Sequence, residues 1–166
     1  MTTDKVARAL KTLHDVLTEV GWAPRGGETG TTYRIDLGPP HVPIDDVVVA
    51  IDPEAQCFVF FANFHRRVPS NRRDKVARMI MRANWDLLLG GFEMNDGDGS
   101  VRFRYAIDFK GCELPAESIR RAILTAMEGV EAHADALMTA MTARTNTLEA
   151  TVRISRTPEG GSHGTH

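Results

Sequence analysis

The run Asp96-Gly97-Asp98-Gly99-Ser100 is the first place where residue type and spacing invite chemistry, because oxygen donors beside glycines are the materials of a calcium loop. Such a loop needs oxygen ligands at its first, third and fifth positions, glycine at the sixth and a carboxylate at the twelfth. Counted from Asp96, the sixth residue is Val101 and the twelfth is Ile107, so the spacing fails. The run reads instead as a β-hairpin turn, since Asp-Gly pairs tolerate positive φ. Histidines at 14, 41, 65, 133, 163 and 166 form no pair at helical i, i+4 spacing, so no metal site is expected. Cys57 lies in an apolar stretch, where cysteine behaves as a small hydrophobe, and Cys112 has no obvious activating base. There is no Gly-x-Ser-x-Gly elbow, phosphate loop or dinucleotide fingerprint; GGETG at 26–30 lacks the lysine of a phosphate loop. Neither catalysis nor a cofactor is expected.

Binding chemistry remains. Arg66, Arg67, Arg72, Arg73, Lys75, Arg78 and Arg82 form a basic set able to grip an acidic partner or phosphates. The plainer reading is a solvated helix face beside an exposed loop, with Asp74 pairing to Arg78 across one turn. A net charge of −2 and the lack of an aromatic platform in the loop put acidic protein ahead of nucleic acid. Met79, Met81, Met94, Met127, Met138 and Met141 serve as core filling or as an adaptable surface for varied partners.

The elements that would position these groups follow from periodicity. Val6, Leu10, Leu13, Leu17 and Val20 stripe one face of a helix over residues 4–20, with Thr3 able to cap it and Gly21 able to end it. PRGGETG (24–30) is read as a flexible loop. Residues 31–37 alternate as a strand with Tyr33, Ile35 and Leu37 on one side, and GPPHVP (38–43) breaks it. Residues 46–51 and 56–64 form the next pair of strands around an Asp52-Pro53 turn. Ser70 or Asn71 can cap a helix running to about Trp85, with Val76, Ile80, Ala83 and Leu87 inward. Phe92–Asn95 and Ser100–Phe109 pair across the acidic-glycine turn, with Arg102, Arg104 and Asp108 sharing one face. Leu114-Pro115 opens a last helix reaching about residue 143, and Val152 and Ile154 suit a further short strand.

The chain has 166 residues, 42% hydrophobic and 25% charged, which suits one globular domain. That domain is placed at 1–143, with 144–166 as a C-terminal extension, disordered in part. No apolar run is long enough to span a bilayer, and MTTDKVARAL lacks the pattern of a signal peptide, so the expected location is the cytoplasm, with no membrane partner.

From Val68 to about Met141 the chain resembles the YbjN-domain family of bacterial proteins. The matching features are a helix ending at Asn84, Gly91-Phe92-Glu93 on the first hairpin strand, and the turn at Asp96–Gly99. Val101-Arg102-Phe103-Arg104 follows, then Leu114-Pro115 and a helix carrying Asp135 near its end. The resemblance implies a fold similar to type III secretion chaperones: small αβββαββα proteins, usually homodimers, that bind segments of other proteins and catalyse nothing. It also implies a loosely defined role in sensory transduction or stress regulation, and it carries over no catalytic residue.

The expected architecture is therefore α+β, a two-layer antiparallel sheet of about five strands with three helices. DVVVAI and CFVFFANF are apolar on both faces, more than one helix layer can shield, so the first helix, a second copy or a client segment should cover the surplus. The leading reading is a non-catalytic, homodimeric protein-binding module, with Val48, Phe58, Phe60, Arg66, Arg67, Arg102 and Arg104 as its partner-binding residues. The alternative is a nucleic-acid-linked regulator using the Arg-rich stretch 65–82.

Overall fold

The computed structural model describes residues 2–22, 25–26, 30–37 and 43–142. Helix α1 (Thr2–Glu19) leads into strands β1 (Arg25–Gly26), β2 (Thr32–Ile35), β3 (Ile44–Asp52) and β4 (Cys57–Phe64). Helix α2 (Arg73–Asp86), strands β5 (Gly91–Met94) and β6 (Val101–Asp108), and helix α3 (Ala116–Thr142) follow. The strands form one antiparallel sheet in the order β1-β2-β3-β4-β6-β5. Apart from the two-residue β1, this is the expected α-βββ-α-ββ-α order around five strands. β1 is a correction to the loop reading of 24–30: Arg25 pairs with Arg34, and Gly26 with Tyr33. The Thr3 cap, the break at 38–42, the strand at Val152 and Ile154 and the tail all lie outside the described residues or side chains.

Alternation decides which way each strand faces. On β4, Phe58, Phe60, Ala62 and Phe64 are buried, whereas Cys57, Val59, Phe61 and Asn63 are half-buried. Val47, Val49 and Ile51 on β3 and Val101 and Phe103 on β6 join the buried side. Each fully buried aromatic or large aliphatic side chain is worth about 1.5–3 kcal/mol. All three helices lie over this side, through Leu13, Val16 and Leu17 of α1, Val76, Ile80 and Ala83 of α2, and Ile119, Ala126, Val130 and Leu137 of α3. The α1 stripe is rotated slightly from the expected one: Ala9 and Val16 are buried, and Val20 is exposed. Arg120 to Glu19 (2.5 Å) and Arg8 to Glu113 (2.8 Å) tie α1 to α3 and the segment before it. At Gly129, in the middle of α3, a Cβ would stand 3.2 Å from the Phe103 ring, so the small residue lets helix and sheet approach.

The segment between β4 and α2 is fastened to the hairpin turn. Val68 donates its N–H to the Gly99 carbonyl at 2.7 Å, Arg73 donates to the Asp96 carbonyl, and Arg67 pairs with Asp98 at 3.5 Å. Neither Ser70 nor Asn71 caps α2; a 3-10 turn at Ser70–Arg72 leads straight into it without a side-chain cap bond. The Asp74–Arg78 pair is likewise not among the ion pairs of the described residues. Asp98 accepts from the Ser100 N–H (2.9 Å) and hydroxyl (2.8 Å), which holds its carboxyl below the usual range. With the folded pKa depressed, that support is complete above the ordinary carboxylate range and is lost as pH falls through the depressed value.

Gly99 has φ of 75° and presses on the Val68 backbone, so an added Cβ would meet the Val68 carbonyl. Gly99→Ala is expected to lower the unfolding free energy in urea by at least about 1–3 kcal/mol, the cost of the backbone conformation alone. Unchanged stability would show that the loop does not rest on the turn.

Candidate protein-binding face

Among the described residues no helix lies on the other side of the sheet. Cross-strand pairing lays its residues out in rows. One row runs Arg34, Val48, Phe61, Arg104 and Gly91. The next, toward the hairpin turn, runs Asp46, Asn63, Arg102 and Glu93. On the opposite side lie Thr32, Ala50, Val59 and Ala106, then Asp52, Cys57 and Asp108. The result is an apolar strip of Val48, Ala50, Val59 and Phe61 between arginines, with polar rows at both ends.

Two carboxylates organise the arginines. Glu93 accepts from Arg102 Nε at 2.5 Å and from Arg104 Nε at 3.2 Å, holding both across the β5–β6 pair. The Arg102 guanidinium lies 4.2 Å from the Phe61 ring centroid, a cation–π contact that leaves the ring half-buried. Asp46 is 7% exposed; Arg34 reaches its Oδ2 at 2.5 Å and the Asn63 amide donates to its Oδ1 at 2.7 Å. A bulge between Ile44 and Asp46 allows Ile44 and Val47 to face the core while Asp46 faces Arg34. Arg34, Asp46, His65, Arg67, Glu93 and Arg102 are among the residues lining an open groove of about 580 Å³ at this end of the sheet. No group of three or more His, Cys, Asp or Glu able to hold a metal occurs among the described residues.

The structure divides the residues singled out from sequence. Val48, Arg102 and Arg104 share the helix-free face, Val48 and Arg104 flanking Phe61 directly. Arg67 borders the groove, and Arg66 is exposed on the same loop. Phe58 and Phe60 are corrected: both are 0% exposed, sealed under the helices, and offer nothing to a partner. Phe61, Val59 and Glu93 take the place they were given. Their signal was in the alternation, because Asn63 shares the phase of Phe61, and Asp46 and Asp52 share that of Val48. The basic set is also dispersed. Arg67 and Arg73 hold the hairpin turn, and Arg72 donates to the Ala140 carbonyl at 2.7 Å, so these three brace the fold.

The β5 edge is closed by a side chain. Asn84 accepts from the Phe92 N–H at 2.8 Å and donates to the Phe92 carbonyl at 2.9 Å, as a neighbouring strand would. Phe92 therefore has no backbone group left free for strand addition at this edge.

Residues 10–138 match the YbjN family model, described as a putative bacterial sensory transduction regulator. Among solved structures, YbjN, a putative transcription regulator from E. coli, aligns with a TM-score of 0.62 at 13% identity, over 78% of this chain and 89% of that one. ExsC in the ExsC–ExsE complex aligns at 0.59 and 13%, over 80% and 95%. A chain of the HopA1–SchA chaperone–effector complex aligns at 0.55 and 10%, over 81% and 98%. The fold is thus similar to that of type III secretion chaperones. A comparison with curated protein sequences finds no match. No helix among the described residues is long and apolar enough to cross a membrane.

Two measurements check this geometry. Asn84→Ala, which strips Phe92 of both partners, should lower stability by about 1–3 kcal/mol, and an unchanged denaturation midpoint would contradict the brace. Burial first, then Asp108 and Asp52, pushes the Cys57 thiol up, whereas Cys112 is exposed. Alkylation at mildly alkaline pH should therefore label Cys112 well before Cys57; the reverse order would contradict the described environments.

Proposed function

The chain belongs to the YbjN family, and from that membership together with its helix-free sheet face we propose that it is a non-catalytic protein-binding module. It acts in the cytoplasm as a homodimer, in stress or sensory regulation, with residues 1–143 as the binding domain and 144–166 as an extension. The observation that carries this reading is the strip Val48, Ala50, Val59 and Phe61, which lies in register on a face that no helix among the described residues covers. Its flanks are Arg34, Arg102 and Arg104, so the fitting client is an extended segment with apolar residues against the strip and acidic residues beside it. Arg102 and Arg104 already share Glu93, and an incoming carboxylate exchanges for that partner with little reordering. The structural relatives seen in a complex with a second protein support the reading by fold.

A nucleic-acid reading of the Arg-rich stretch 65–82 is the weaker one, because Arg67, Arg72 and Arg73 are engaged within the chain. Affinity capture from the native cell, using the full chain and an Arg102→Glu/Arg104→Glu variant, separates the two. Proteins retained by the first should be depleted at least about tenfold by the second, as expected for charges flanking a binding strip. Equal retention by both chains, or capture of nucleic acid alone, would overturn the assignment.

A further inference from the structure

The helical side carries a second unpartnered surface. Trp85 is 89% exposed, Leu88 94%, Met81 72% and Leu124 60%, an unusual outlay of large apolar groups. Met81 and Trp85 stand one turn apart on α2, and Leu88 follows just past its end. Lys75, Arg78 and Arg82 line the exposed side of the same helix. On α3, Leu124 is followed by exposed Glu128, Glu131 and Asp135.

The two charged triplets have the same spacing, steps of three and then four, and opposite sign. None of the six takes part in an ion pair among the described residues. Within each triplet like charges stand one turn apart, at a small cost, and on α2 Asp74 and Asp86 stand one turn from Arg78 and Arg82 without forming an ion pair with them. Within the chain the two helices meet by other sides. They run antiparallel, with Arg72 bonded to the Ala140 carbonyl at one end and Leu87 packed 3.3 Å from the Cβ position of Gly129 at the other.

We propose that a second copy of this chain covers this surface, the α2 stripe of each protomer lying along the α3 stripe of its partner. The interface is isologous: what α2 gives to the partner's α3, α3 receives from the partner's α2. Because α2 and α3 are antiparallel in one protomer, a two-fold axis parallel to them keeps each α2 antiparallel to the α3 it meets. Levels along the axis are then preserved. Arg78 and Arg82 come to the levels of Asp135 and Glu131, and Trp85 and Leu88 lie toward the end that carries Glu128 and Leu124. A parallel pairing would set Trp85 against the Asp135 end and Leu124 against Lys75, matching neither charge nor hydrophobicity. The inference rests on the homodimer of the proposed function and assigns its contact to the helices, leaving the sheet face free for a client.

Charge exchange in the full chain tests it by sedimentation velocity. At about 10 micromolar the unaltered protein should sediment as a dimer. Arg78→Glu/Arg82→Glu and Glu131→Arg/Asp135→Arg should each raise the dimer Kd at least about tenfold, since like charges then face each other. An equimolar mixture of the two should restore dimer as a mixed pair, because the first variant is acidic on both stripes and the second basic on both. Trp85→Ser should also weaken the dimer. A monomeric parent, variants that dimerise like the parent, or a mixture that stays monomeric would each overturn the interface. None of those results affects capture through Arg102 and Arg104, so failure here is distinguishable from failure of the binding-module reading.

Discussion

Packing of Phe58, Phe60 and Phe103 against the helix layer decides which side of the sheet is sealed. All three are fully buried, and Gly129 lets α3 come down onto Phe103. A strand has only two phases, so once this one is inward, Val59, Phe61, Arg102 and Arg104 are outward together. No later choice in the chain can move them. The proposed binding face is thus the complement of the core, fixed by the same hydrophobic contacts that stabilise the fold.

The outward side is then a compromise between apolar and charged groups. Phe61 is left half-buried by a guanidinium and its neighbours where a helix would have sealed it. Glu93 and Asp46 keep the arginines from pointing loose into water, which reduces the ordering needed when a partner arrives. On the other side of the molecule, α2 and α3 hold exposed apolar groups beside opposite charges. The two surfaces differ in kind: an apolar strip between arginines on the sheet, and exposed apolar groups beside charged stripes on the helices.

The element order was legible in the sequence because periodicity is local. Val76, Ile80 and Ala83 mark the inner side of α2, and the alternation from Val101 to Phe103 marks β6, wherever those elements end up. The two-residue β1 had no such pattern to show. Strand phase on β4 was harder, because Phe58, Phe60 and Phe61 are equally apolar and composition cannot rank them. The polar residues could: Asn63 with Phe61, and Asp46 and Asp52 with Val48, mark the wet side. The apolar character of both phases of β3 and β4 was legible too, and among the described residues Val48, Ala50, Val59 and Phe61 are half-buried on the phase opposite the one that packs on α1. The exposure of Trp85 and Leu88 was not legible, because an amphipathic helix is expected to hide its large residues and nothing local signals that these stay outside.

In the proposed function, the phase of β4 containing Phe61 is the side a partner protein touches. A photo-reactive benzoyl-phenylalanine at position 61, irradiated in the native cell, tests it most directly. The expected outcome is a covalent adduct with a different protein from position 61 and none from position 58, which faces the core. No adduct from position 61, or one from position 58 instead, would contradict it.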